Sequence, residues 1–246
     1  MGLHPHSPSD YPSFLLYVLD ETHLTITVLH AAIIIYTRDA HIAWIAVGAL
    51  GSSLSAKGIK HFIRSPRPPP PPPTSNTDLK SHVRPKKTYG MPSTHSTALS
   101  FYFFYLVPEL LLSSQMLASL PFTLGIRIPL PASIRPYIPS FSAVPKLRSA
   151  GTFGSVRPPR KEILDSLTTG QRWSSAIGIT AYWLGGLWSR IELGYHTYSQ
   201  VVVGAAFGWL LSTLWRGVWI ANPALGPWLQ GWIDTVWNLG RGLLSI

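Results

Sequence analysis

The chain has 246 residues, with 12% charged and 46% hydrophobic side chains, ten Trp and no Cys. About 25% charged is usual for a soluble domain, so this balance points to a membrane protein. The lack of Cys excludes disulfide scaffolds, thiolate metal sites and a thiol nucleophile. The excess of 20 Lys and Arg over 10 Asp and Glu is clustered rather than spread. Clusters of this kind suit anionic lipid or phosphate. No nucleic-acid reader motif interleaves them, so nucleic acid is excluded as a partner.

In chain order, residues 1–23 form a polar N-terminal segment, and residues 1–13 lack the basic stretch of a secretory signal. Apolar runs follow at Leu24–Thr37, Ala40–Ala56, Thr97–Ser113, Trp173–Trp188 and about Val201–Ile220. Each approaches the roughly 20 residues that cross a bilayer. The expected fold is an all-α, polytopic membrane helix bundle with about five (four to six) transmembrane helices. Helices 1–3 occupy 24–113 and helices 4–5 occupy 172–220. Residues 66–88 open on a polyproline tract that neither helix nor sheet accepts, and residues 114–171 form a basic Pro/Ser-rich loop. The tract reads as a solvated loop or a ligand for a Pro-binding module. Residues 221–246 are Trp-rich and amphipathic, suited to the interface or to a sixth crossing.

Three polar constellations stand at the ends of these runs. Lys60 and Arg67-Pro68 follow the second. Tyr89–Ser96 (YGMPSTHS) opens the third, with Ser93 as an N-cap and the amides of Thr94, His95 and Ser96 facing out of the helix start as an anion site. Ser189–Gln200 (SRIELGYHTYSQ) links the fourth and fifth, and its Arg190 and His196 suit an oxyanion better than a metal. The first two share a membrane side, and two crossings return the chain to it before the third. All three therefore meet at one face. Residues 127–172 on the other face carry eight Lys and Arg against Glu162 and Asp165, net +6 (eight minus two), which makes that face cytosolic and the motif face lumenal or extracellular.

The residues Lys60-x6-Arg67-Pro68, Pro92-Ser93-x-His95 and Ser189-Arg190-x5-His196-x3-Gln200 resemble the three signatures of the phosphatidic-acid-phosphatase type 2 superfamily of membrane lipid phosphatases. YGMPSTHS and the segment from Ser189 resemble its dolichyl-diphosphatase branch most closely. Gln200 stands where most of the superfamily has Asp, and Thr94 replaces the commoner Gly.

The resemblance implies a metal-free hydrolysis with no cofactor. His196 would be the nucleophile, passing through a phosphohistidine, and His95 the acid and then the base. Gln200 would orient His196. Lys60, Arg67 and Arg190, with Ser93 and the Thr94–His95 amides, would hold the phosphate. The implied partners are the lipid bilayer and a polyisoprenoid diphosphate, converted to the monophosphate in the endoplasmic reticulum membrane with the site facing the lumen. That step recycles the glycosyl carrier of N-glycosylation. Protein partners are not indicated. The alternatives are a phosphatase for phosphatidate or a sphingoid-base phosphate, a non-catalytic lipid-phosphate sensor, or a scaffold that displays the Pro tract.

Overall fold

A computed structural model describes residue 11 and residues 13–69, 88–112 and 167–244. The Pro tract beyond residue 69 and most of the 114–171 loop lie outside the described residues. All regular structure within them is helical: α1 (Phe14–Asp20), α2 (Thr22–Thr37), α3 (Ala40–Ile63), α4 (Thr94–Leu111), α5 (Thr169–Glu192), α6 (Tyr198–Ala221) and α7 (Leu225–Leu244).

Local chemistry sets these limits. Ser13 caps α1 by accepting from the Leu16 amide at 3.2 Å. Between α1 and α2 the chain bends by 61°. Arg38 ends α2 in the left-handed region (φ 52°), and Asp39 then caps α3 by accepting from His41 and Ile42 at 2.8 and 3.0 Å. This turn is the polar break expected between the first two runs. Arg64 closes α3 in the same left-handed way (φ 50°). Thr168 with Gln171 and Thr197 with Gln200 form capping boxes at the starts of α5 and α6. Helical structure begins ahead of Leu24, because Phe14–Leu19 forms a separate capped turn-and-a-half before the acidic pair Asp20-Glu21.

The molecule is a polytopic membrane helix bundle. Among the described residues, α3 and α6, 24 residues each, are long and apolar enough to cross a bilayer, and the bent pair α1–α2 is a third candidate. Twenty-four helical residues span about 36 Å, against a hydrocarbon core of about 30 Å. Leu24, Val28, Leu29 and Ile35 of α2, Val47 and Leu54 of α3, and Val202 and Leu210 of α6 face outward, as lipid contact requires. α4 and α5 run alongside in alternating sense.

The centre is α4, packed on α6, α5 and α3. Lipid offers no hydrophobic drive between helices, so close backbone approach has to hold them. Ser93, Ser96, Thr97 and Ser100 form a buried stripe of small residues. It faces Gly204 and Gly208 of α6: a Cβ on Gly204 would stand 2.7 Å from the Ser93 carbonyl oxygen, and one on Gly208 would strike that of Thr97. Trp183 of α5 donates to Ser100 Oγ at 2.8 Å and stacks on Phe103 at 4.1 Å.

One end of the bundle is clamped by Trp44 and Trp215, stacked at 4.1 Å with each indole N–H donating to the other's carbonyl. His41 bonds the Tyr105 hydroxyl there at 2.6 Å. Gln230 of α7 accepts from the Ala40 amide at 3.1 Å and donates to the Arg38 carbonyl at 2.9 Å, which seats α7 on the α2–α3 turn. At the opposite end α3 stops, α4 starts, α5 stops and α6 starts, and the candidate site lies there.

Candidate active site

The three constellations converge at that end. The Ser93 amide donates to the Gln200 carbonyl at 3.2 Å, and the Gly90 amide donates to the Ser65 carbonyl at 2.8 Å. Arg67 Nη1 stands 3.3 Å from His196 Nε2 and donates to the Tyr195 carbonyl at 2.7 Å. The Arg67 Nε–H donates to the Thr88 carbonyl at 2.7 Å. Lys60, Arg67, Thr94, His95, Arg190 and His196 all line one cleft of about 620 Å³.

His196 sits in the short link between α5 and α6 and is nearly buried. Its Nδ1 is 3.2 Å from Gln200 Oε1. The orientation of that amide is over-determined. Oε1 also accepts from the Thr197 amide at 3.3 Å, while Nε2 donates to the Pro66 carbonyl at 2.7 Å and to Ser65 Oγ at 3.2 Å. A flipped amide would set N–H against N–H and oxygen against carbonyl oxygen. Gln200 Oε1 therefore faces His196 as an acceptor, which puts the imidazole proton on Nδ1 and leaves a lone pair on Nε2. The Arg67 guanidinium beside Nε2 agrees with that tautomer. Burial first, then the charges of Arg67 and Lys60, lower the His196 pKa to about 3 against the pull of the Gln200 bond. The ring is a neutral base at physiological pH.

Arg190 is anchored by a residue that none of the motifs contains. Its Nη2 donates to Asp20 Oδ1 at 2.7 Å in an ion pair almost wholly buried on both sides. Tyr11 and Tyr195 hydroxyls donate to Asp20 Oδ2 at 2.7 and 3.3 Å. Asp20 and Tyr195 also line the cleft. In the sequence Asp20 is one polar residue ahead of the first apolar run, and reads equally well as an interface residue. Arg67 is also held below its ordinary pKa, by burial and then by the Arg190 charge. Three cations thus converge beside one carboxylate.

His95 lines the cleft, and its Nε2 is buried without a hydrogen-bond partner among the described residues. Ser93 and Gln200 do not line it. The Ser93 hydroxyl is fully buried, accepting from the Ser96 amide and hydroxyl at 3.4 and 2.9 Å, so it builds the start of α4 rather than the cleft wall. Gln200 stands behind His196. Gly90 makes room for it, since a Cβ there would lie 2.6 Å from Gln200 Cδ. Among the described residues no group of three or more His, Asp or Glu side chains is placed to hold a metal ion.

Away from the cations the cleft turns apolar, running between α2, α3 and α4 past Ile26, Ala31, Ile34, Ala46, Leu50 and Tyr102. A basic head site continuous with an apolar trough at a bundle end is a place for an amphiphilic phosphate. Comparison with known proteins supplies the class: residues 41–222 match the family model described as PAP2 superfamily. The chain belongs to the PAP2 superfamily and is a membrane phosphatase of the lipid phosphatase kind. It is 28% identical to the Neurospora crassa protein named "Putative dolichyldiphosphatase" over 222 residues, 85% of this chain and 72% of that one. Over 71 residues, 29% of this chain and 26% of the relative, it is 39% identical to "Lipid phosphate phosphatase gamma" of Arabidopsis thaliana. No solved structure is significantly similar to the chain.

Proposed function

We propose that the protein hydrolyses the terminal phosphate of a polyisoprenoid diphosphate, dolichyl diphosphate in the first place, giving the monophosphate and inorganic phosphate. The observation that carries this reading is the neutral His196 Nε2 set among Lys60, Arg67 and Arg190 at the head of an apolar cleft. Nε2 attacks the terminal phosphorus, the bond to the bridging oxygen breaks, and the lipid monophosphate leaves. His95 donates the proton to the leaving oxygen and then takes one from the water that cleaves the phosphohistidine. The three cations and the Thr94–His95 amides hold the equatorial oxygens and offset their developing charge. Gln200 supplies orientation without charge. The N. crassa relative's name supports the diphosphate, and residence in the endoplasmic reticulum with a lumenal site follows from the same reading and from the charge of the 127–172 region.

Phosphatidate is the second substrate to consider, because the A. thaliana relative is named for lipid phosphates generally. The test is phosphate release from purified protein in EDTA, on dolichyl diphosphate, dolichyl phosphate and phosphatidate side by side. Fastest turnover of the diphosphate, inhibited by vanadate, is expected. Preference for phosphatidate, or an absolute need for added zinc or magnesium, overturns the reading.

A further inference from the structure

One cation of the cleft is unused by this chemistry. The α3 residues that line the cleft are Ala46, Ala49, Leu50, Ser53, Lys57 and Lys60. Apart from the adjacent pair Ala49-Leu50 they are spaced three or four apart and so form one stripe, since helical residues at i, i+3 and i+4 share a face. Along the direction of α3 the stripe changes from apolar to hydroxyl to cation to cation. Lys60 at its head is buried in the phosphate cage, whereas Lys57 is exposed on the cleft wall about 4.5 Å of helix rise earlier. Lys57 takes neither an ion-pair nor a hydrogen-bond partner among the described residues. Across the cleft stand His23, Thr27 and His30 of α2, interleaved with Ile26 and followed by Ala31 and Ile34.

A lipid phosphate lying along this stripe places its terminal phosphorus by His196 and its chain toward Leu50 and Ile34. What meets Lys57 depends on the substrate. In a monophosphate the group one turn below the cage is the first carbon of the chain. In a diphosphate it is the inner phosphate. We infer that Lys57 binds the inner phosphate of a diphosphate lipid and sets a preference for diphosphates over monophosphates at this site. The inference rests on the lipid phosphatase reading above. When Nε2 bonds to the terminal phosphorus, the bridging oxygen departs with its electron pair and takes the His95 proton. The leaving monophosphate carries its remaining negative charge beside the Lys57 ammonium. A monoester leaves as an alcohol and offers that ammonium no charge.

The test uses the purified full chain in mixed micelles, with an isoprenyl diphosphate and the monophosphate of the same chain length. For wild type, Lys57→Gln and Lys57→Arg, the quantity is the ratio of kcat/KM for diphosphate to that for monophosphate. Loss of a hydrogen bond to a charged group, about 1.5–3 kcal/mol, corresponds to a roughly 10- to 100-fold fall in that ratio for Lys57→Gln. Lys57→Arg restores most of it. Competitive inhibition by the lipid methylenebisphosphonate relative to the lipid phosphonate gives the same ratio where monophosphate turnover is too slow to measure. Ratios within twofold of wild type in Lys57→Gln overturn the inference, as does an equal fall for both substrates, which would make Lys57 a general attractor for anions. Failure of the wild-type protein to hydrolyse either lipid would instead remove the reading beneath it.

Discussion

The two nitrogens of His196 do different work, and each is set by a neighbour. Nδ1 is held by Gln200 and Nε2 faces Arg67 and the cleft. With a pKa of about 3 the ring stays unprotonated through pH 5, so the acidic limb of kcat/KM should owe nothing to His196 between pH 5 and 8. A carboxylate at position 200 favours the imidazolium and raises that pKa. Only the free base attacks, so in Gln200→Glu the acidic limb should move to higher pH. The carboxylate would also face the Pro66 carbonyl, costing rate at every pH.

Gln200→Ala removes the buried bonds on both sides of the amide and should lower kcat/KM about 5- to 150-fold, on the usual scale of about 1–3 kcal/mol for such losses. Gly90→Ala should act in the same direction by crowding Gln200. Paired pH–rate profiles decide it: a Gln200→Ala profile matching wild type across pH 5–8 removes Gln200 from the site. The motif spacing in the sequence already placed an amide beside His196. The donor bonds from Gln200 to Pro66 and Ser65 were not legible, because 134 and 135 residues separate the partners.

At the scale of elements, the site depends on a helix pair that hydropathy alone misplaces. Phe14–Leu19 is apolar but short, and Asp20-Glu21 reads as the start of an interface. Folding instead turns Asp20 inward to hold Arg190, 170 residues away. Removing one partner of a buried ion pair leaves the other uncompensated, at a cost of about 3–5 kcal/mol. Asp20→Ala should therefore lower thermal stability in detergent by that order and lose activity together with it. Asp20→Ala combined with Arg190→Met should recover stability but not activity. If the double variant is no more stable than Asp20→Ala alone, the pair is not the anchor described here.

The contact between α4 and α6 makes an independent prediction. Gly208→Leu forces side-chain atoms into the Thr97 carbonyl and should destabilise by about 1–3 kcal/mol as overpacking does. Gly178→Leu, where a Cβ meets nothing within 4 Å, should be nearly neutral in the same melting experiment. The start of α4 was readable because Ser93, just after Pro92, is an N-cap residue, whereas α6 begins at Tyr198 behind the Thr197 cap, ahead of the apolar run expected from about Val201. The Ser93 hydroxyl, expected from its motif to bind phosphate, is buried and accepts two bonds from Ser96 within the start of α4.

At the scale of the whole molecule, parity needs only that apolar runs cross the membrane, which is why the convergence of the motifs was legible without any distance. The cleft between α2, α3 and α4 was not. It depends on α2 standing away from the bundle, and hydropathy shows an outward-facing helix and a groove-forming one as the same apolar run. The proposed orientation is tested by glycosylation acceptors. One placed in 74–82 should be modified in the endoplasmic reticulum, and one placed in 145–155 should not. The reverse pattern would put the site on the cytosolic face.

The central claim is that phosphate passes through His196. It is tested most directly by mixing the protein with dolichyl diphosphate labelled in its terminal phosphate and quenching in alkali within the first turnovers, since a phosphohistidine survives base and is lost in acid. The His95→Ala variant should slow overall turnover by roughly 10²–10⁴, whereas wild type and His95→Ala should both carry base-stable, acid-labile label that maps to the peptide containing His196. His196→Ala should carry none and release no phosphate. Label retained in His196→Ala, or phosphate released by it at a near wild-type rate, would contradict the account.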